Sequence, residues 1–248
     1  MWQHAHGQSD HDVVQDFIEF SLEWLQDRRY TLTIDVDMAA WARTMAKAPS
    51  IAVVNPTFDP RCSPLAPDNS FWLDVRAGSQ TIAMMAARLF VTDDYLEIKR
   101  STRLWYDPPP PGARLAIEVP EGTPIIRGNV GHEGGLWVHP SHRKRGLSVI
   151  LPHLIRALCF REWNVDWQTG ATMRGIGECG IALWAYGAPH VVPCYEGHFL
   201  VTQRPDRLFL VYMSREELVA GLDLAAIARL LPDRHREAHH PAALVQKG

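Results

Sequence analysis

The stretch "GGLWVHPSHRKRGLSVILPHLIRAL", Gly134 to Leu158, constrains the fold of this chain more than any other. An apolar run ends at Val138, and Pro140 stops it. Arg143, Lys144 and Arg145 lead into Gly146. Beyond it Leu147, Ile150, Leu151, Leu154 and Leu158 recur at helical spacing. The reading is a strand, a basic glycine turn and a helix. Such a helix start leaves backbone N–H groups unpaired, and the aligned peptide dipoles add about half a positive charge there. Glycine lets an anion approach the backbone closely, and arginine adds a planar fork that fits phosphate. The stretch therefore predicts a site for a di-anionic group such as a pyrophosphate. Pro152, inside the helix, removes the bond to the Ser148 carbonyl and predicts a kink.

The rest of the composition sets bounds. With 248 residues, 46% of them hydrophobic and 21% charged, the chain suits one large domain, or one domain with an extension. A net charge of −3 supplies no global field toward nucleic acid or an anionic membrane. Cys62, Cys159, Cys179 and Cys194 are scattered, without the close spacing of a zinc or redox site, and reduced cysteines are expected. The opening "MWQHAHGQSDHD" has no apolar signal core, and "TIAMMAARLFV" is too short to span a bilayer and contains Arg88. The expectation is a soluble, cytoplasmic protein.

Along the chain, "DHDVVQDFIEFSLEWLQDRR" reads as a helix with Val14, Phe17, Ile18, Ser21 and Leu25 on one face and Asp10 or Asp12 as cap. "YTLTIDV" is a strand, and "DMAAWARTMAKA" a helix ending before Pro49. A proline-rich loop follows, then "FWLDVRA" and "QTIAMMAARLFV" as paired strands. "DDYLEIKRSTRLWY" predicts a short helix, and "DPPPPGAR" a stiff spacer. "TPIIRGNV" and "GGLWV" read as two short strands, "VDWQTGATM" as a polar one, and "GECGIALWAYG" as a helix. "GHFLVTQ" and "RLFLVYMS" read as a hairpin around "RPDR", and Ser214 with Glu217 forms a capping box. A regular strand–helix alternation is missing, which favours a mixed α/β or α+β domain over a doubly wound one.

On these residues the sequence resembles a known family. "LWVHPSHRKRGLS" is similar to the acyl-CoA binding motif of the GCN5-related N-acetyltransferase (GNAT) superfamily, with Arg143, Gly146 and Ser148 on its three defining positions. Ser148 stands where glycine or alanine is usual. The resemblance spans roughly Phe71 to Ser214, with a helix and the proline run inserted before the motif strand. It implies a GNAT-like fold of the α/β (α+β) class: a mixed, mostly antiparallel central sheet flanked by helices, with an N-terminal helical extension. Residues 1–49 would be that extension packed on the core, 50–231 the acyl-CoA-binding domain, and 232–248 a flexible tail.

The resemblance also implies a function, acyl transfer from acetyl-CoA or another acyl-CoA to an amine of a small molecule or peptide. No metal, nucleic acid or membrane is called for, and a homodimer stays open. Backbone amides around Arg143, Lys144, Arg145, Gly146, Leu147 and Ser148 would hold the pyrophosphate. The strand backbone at Leu136, Trp137 and Val138 would follow the pantetheine arm, and an N–H there would polarise the thioester oxygen. Glu133 is the best-placed base, with His132 second, and Tyr186 the acid. If Trp184 takes the aligned slot instead, no acid exists. The acceptor would lie over Asn55 to Asn69, the inserted helix and "PHVVPCYEGH", with His190, Tyr195 and His198 nearby.

Two other readings stay open. One is a non-catalytic acyl-CoA binding or sensing module. The other is a dinucleotide-binding oxidoreductase using Gly175, Gly177 and Gly180 of "GIGECG", which match G-x-G-x-x-G. Against the latter stand the polar preceding strand and the hairpin that follows, since the nucleotide fold needs apolar parallel strands. "HEGG" lacks the second histidine of a metalloprotease helix, and His235, His239 and His240 read as part of the tail.

Overall fold

The structure is a computed structural model, and it describes residues 9–232. Helix α1 (Asp10–Asp27) is capped by Ser9, one residue before the nearer of the two predicted caps. The Ser9 hydroxyl accepts from the Asp12 N–H while the Asp12 carboxylate accepts from the Ser9 N–H. Val14, Phe17, Ile18, Ser21, Trp24 and Leu25 form its buried face. Strand β1 (Tyr30–Asp35) and helix α2 (Met38–Lys47), capped by Asp37, follow as predicted. Strands β2 (Ser70–Ala77) and β3 (Gln80–Thr92) form a hairpin turning at Gly78, and helix α3 (Tyr95–Arg100) is capped by Asp94.

Three expectations are corrected here. "GNVGHEGGLWV" is one strand, β4 (Gly128–Val138), and the residues before it are irregular. Its glycines look like a break in the pattern but serve close packing: a Cβ on Gly131 would strike the Gln168 side chain, and one on Gly134 would strike Phe58. After helix α4 (Leu147–Trp163) and strand β5 (Trp167–Met173), the single predicted helix is two, α5 (Arg174–Glu178) and α6 (Ile181–Trp184). Gly180, at φ +76°, separates them. In the last hairpin, β6 (His190–Phe199) and β7 (Arg204–Ser214), the turn lies at 200–203, and "RPDR" is already strand. Helix α7 (Arg215–Ala220) carries the expected Ser214–Glu217 capping box, and α8 (Leu224–Leu230) completes the described chain. The tail and its histidines lie outside the described residues beyond Pro232.

The seven strands form one sheet in the order β1-β2-β3-β4-β5-β7-β6. Every neighbouring pair is antiparallel except β4 and β5. This is the mixed, mostly antiparallel sheet flanked by helices that the motif implied, with α1 lying across α4. One face buries α1, α4, α7 and α8 against Phe71, Leu73, Val75, Met85 and Val211. All of α4 from Leu147 to Phe160 is buried except Ser148, as expected of a helix covered on both sides. The helix runs without interruption through Pro152. The opposite face buries α2 with Phe58, Trp72, Met84 and Trp137, and α3 with Leu104, Trp105, Leu208 and Leu210. Among the described residues no helix is long and apolar enough to cross a membrane.

Candidate active site

The site is built where β4 and β5 part. They pair only from Val130 opposite Trp167 to Glu133 opposite Gly170. Beyond that point β4 runs on to Val138 with no strand on its β5 side. There β4 also bulges: Gly134 faces Ala86 and Trp137 faces Met84, so Gly135 and Leu136 together stand against Met85. Gly135 takes φ +63°, and a Cβ on it would lie 2.6 Å from Trp41 Cζ2. Only glycine suits both demands. The Trp137 side chain turns away from the gap, and its indole N–H donates to the Pro49 carbonyl at 3.0 Å.

The basic turn follows directly. Pro140–His142 make a single helical turn, and Arg143 reaches back so that its Nε donates to the Val138 carbonyl at 3.2 Å. Lys144 (φ +63°) and Gly146 (φ +85°) both adopt left-handed backbone. The Gly146 carbonyl accepts from the N–H groups of Val149 and Ile150, which starts α4. The N–H groups of Arg145, Gly146, Leu147 and Ser148 have no partner among the described residues. Trp24, Leu231 and Pro232 wall the other side of the turn, where a Cβ on Gly146 would lie 2.8 Å from Trp24. The donors, the exposed Arg143, Lys144 and Arg145 and the helix dipole therefore fit a diphosphate. His139 and His142 are bridged by the Ser141 hydroxyl at 2.7 and 3.0 Å.

Glu133 and His132 point to opposite faces of the sheet, as strand neighbours must. Glu133 is buried against Arg156 of α4, whose Nε donates to both carboxylate oxygens at 3.0 and 2.9 Å. The Gln168 amide donates to it as well, at 3.2 Å. The same guanidinium donates from Nη1 to the Tyr186 carbonyl. One ion pair thus ties β4, α4 and the turn after α6 together. Tyr186 is half-buried beside α4, and burial raises the pKa of its phenol. At the next position, a Cβ on Gly187 would strike the ring of His153.

His132 lines a cavity of about 350 Å³ on the other face. The β5 end contributes Ala171, Thr172 and Met173, the 50–55 loop Ile51 and Asn55, and the last hairpin Phe199 and Arg204. No Asp or Glu lines it. The acceptor region expected from the sequence is partly corrected. Of the expected Asn55 to Asn69 only Asn55 lines the cavity, with residues 50–53 ahead of it, and the inserted segment contributes Trp105; nothing of "PHVVPCYEGH" does, since His190 is engaged with Glu217 and the Tyr195 hydroxyl donates to the His198 carbonyl.

His132 Nδ1 lies 2.7 Å from the Tyr95 hydroxyl and 3.2 Å from Thr169 Oγ1. Thr169 gives its own hydrogen to the Gly131 carbonyl. Burial holds Tyr95 protonated, and beside its hydroxyl stand Thr169 and, at 2.7 Å, His132 Nδ1, the acceptor it meets at hydrogen-bond geometry. A buried hydroxyl left without an acceptor is costly, so Tyr95 donates to Nδ1 and the His132 hydrogen sits on Nε2. Burial, then the charges of Lys99 and Arg88, push the His132 pKa well below 6.5. Arg88, directly across from His132 in the β3–β4 register, is itself buried and lowered to about 10, with Nε and Nη1 unpartnered. Lys99 is fully buried with Nζ unpartnered. Sequence reasoning missed this cationic floor. The available signal was Arg88 itself, a charge inside an otherwise apolar strand.

The glycines of "GIGECG" form no phosphate turn. Gly175 and Gly177 lie inside the five-residue α5, where a Cβ on Gly177 would strike Phe209, and Gly180 caps α6. With one parallel pair in the sheet, the doubly wound nucleotide fold is absent.

Fold and site together define a mixed, mostly antiparallel sheet flanked by helices, with an anion-ready turn at the end of a parted strand pair. No protein-family model matches the sequence, and a search of curated proteins gives no match. Among solved structures, the chain is similar to NAA60 from Arabidopsis thaliana in complex with acetyl-CoA. The identity is 12%, over 75% of this chain and 98% of that one, with a TM-score of 0.49. It is similar to the spermidine/spermine N-acetyltransferase SpeG from Vibrio cholerae in complex with manganese ions, at 8% identity over 78% and 96%, TM-score 0.45. It is also similar to FeeM, an N-acyl amino acid synthase from uncultured soil microbes, at 7% identity over 93% and 97%, TM-score 0.37. Likeness this distant carries no functional argument.

Proposed function

We propose that this chain is an acyl-CoA-dependent N-acyltransferase of the GNAT superfamily, using acetyl-CoA or another acyl thioester and acting on an amine. One observation carries the reading. A helix start with unpaired N–H groups directly follows a strand whose edge is left free where its partner diverges. The turn suits the diphosphate, through Arg143, Lys144, Arg145, Gly146, Leu147 and Ser148. The free edge at Leu136, Trp137 and Val138 suits an extended arm that carries amide groups. We place the protein in the cytoplasm, where its four free cysteines stay reduced.

The amine nitrogen attacks the thioester carbonyl carbon, a C–N bond forms, and the C–S bond breaks with its electron pair on sulfur. The proton lost by the amine balances the one gained by the CoA thiolate. A backbone N–H in the bulge of β4 polarises the carbonyl oxygen. Tyr186 is the acid that returns a proton to sulfur. Glu133 acts as a positioning residue, because its oxygens are already held by Arg156 and Gln168. The amine's proton leaves through water, since no carboxylate lines the cavity and the His132 Nδ1 lone pair is engaged by Tyr95.

Calorimetry with acetyl-CoA and CoA tests the reading, with thiol release over an amine panel as the second measurement. Binding with turnover is expected. Binding without turnover on any amine would make the protein an acyl-CoA sensing module, and no heat with either ligand would remove the assignment. Tyr186→Phe keeps the carbonyl that Arg156 grips, so it should slow turnover by about 100-fold or more with little change in CoA affinity. Equal rates for the two proteins would take Tyr186 out of the mechanism.

A further inference from the structure

We propose that the acceptor amine also carries a carboxylate, seated between Arg204 at the mouth of the cavity and the His132 Nε2–H at its floor. This rests on the N-acyltransferase reading for the chemistry, but the pocket can be tested apart from it. Arg204 is exposed, lines the cavity and forms no ion pair with a described carboxylate. His132 presents a hydrogen-bond donor, because Tyr95 occupies its other nitrogen. Behind His132 stand Arg88 and Lys99, both more than nine-tenths buried with nitrogen atoms that no protein group satisfies. The Asp107 carboxylate acts on Arg88 but leaves its Nε and Nη1 without a hydrogen-bond partner, and an anion brought close to buried cations relieves the cost of their burial.

The cavity walls narrow the class further. Ile51, Val53, Trp105, Phe199 and Leu208 make an apolar lining. A polyamine would meet only like charge, with no acidic side chain to receive it. An apolar α-amino acid matches on each count: its carboxylate meets Arg204 and His132, its side chain the apolar wall, and its amine is left for the thioester. The cavity is lined from both strands of the parted pair, by His132 of β4 and by Ala171, Thr172 and Met173 of β5 just past the last paired residues. The transfer is the one written above, giving the N-acyl amino acid and free CoA.

The test compares phenylalanine, phenylalaninamide and spermidine, by calorimetry with and without CoA and by thiol release with acetyl-CoA. Phenylalanine should exceed its amide by about tenfold or more in affinity and in kcat/KM, with spermidine poorest. Arg204→Ala should narrow the acid-over-amide ratio, while His132→Ala tests the floor. If CoA binds and the amide or spermidine equals or beats the acid, the pocket assignment falls and the transferase reading stands. If CoA does not bind yet the acid is still preferred over the amide, the transferase reading falls and the pocket assignment stands. No binding of phenylalanine under either condition overturns the proposal.

Discussion

At the scale of single residues, Glu133 shows how a side chain changes role with its surroundings. By its place in the motif strand it reads as a base. In the fold its partner is Arg156, 23 positions away, and both are buried. Removing one charge from such a pair leaves the other without compensation, which costs about 3–5 kcal/mol. Glu133→Gln should therefore destabilise the protein by an amount in that range, measured as a shift of the urea midpoint. A change under ~1 kcal/mol would mean that the guanidinium reaches solvent, against its 3% side-chain exposure.

At the scale of elements, the junction of β4, the basic turn and α4 holds the assignment. Gly146 is a poor place to probe it, because its φ of +85° and the nearness of Trp24 tie any side chain there to folding. Ser148 is better. It is the second residue of α4 and only half-buried. A carboxylate at that position favours the helix by roughly 0.3–1 kcal/mol through the dipole. The same carboxylate occupies the donors meant for the diphosphate and repels it. Ser148→Asp should keep or raise thermal stability and lose CoA affinity by at least ~100-fold. A folded Ser148→Asp protein that still binds CoA normally would show that the anion sits elsewhere.

Across the whole molecule, two buried histidines link stability to pH. Burial and the neighbouring Arg156 lower His153 to about 4, and His132 lies well below 6.5. Both are neutral in the folded protein near pH 6, while the unfolded chain titrates near 6.5. Between those values the unfolded state binds more protons, so stability is full above about pH 6.5 and falls as the pH drops toward 4. The slope is up to about 1.4 kcal/mol per pH unit for each histidine. Urea melts at pH 7, 6 and 5 measure it, and His153→Met should remove about half. A flat profile in the wild-type protein would show that both rings are protonated in place.

The sequence by itself determined the local events. The strand that ends at Val138, the basic glycine turn at Gly146, the helix behind it and the Ser214–Glu217 cap each depend on a few adjacent residues, so spacing and residue type suffice to read them. The break in strand–helix alternation likewise indicated a mixed sheet. Tertiary structure alone decided what depends on faces and distant partners. A strand sends neighbours to opposite sides, so whether Glu133 or His132 faced the cavity turned on the packing of α4 against one face. The bulge at Gly135, the pairing of Glu133 with Arg156, and a cavity assembled from five separate segments bring together residues that no local pattern connects. Burial then pushed the His132 pKa down, because removal from water penalises the charged ring.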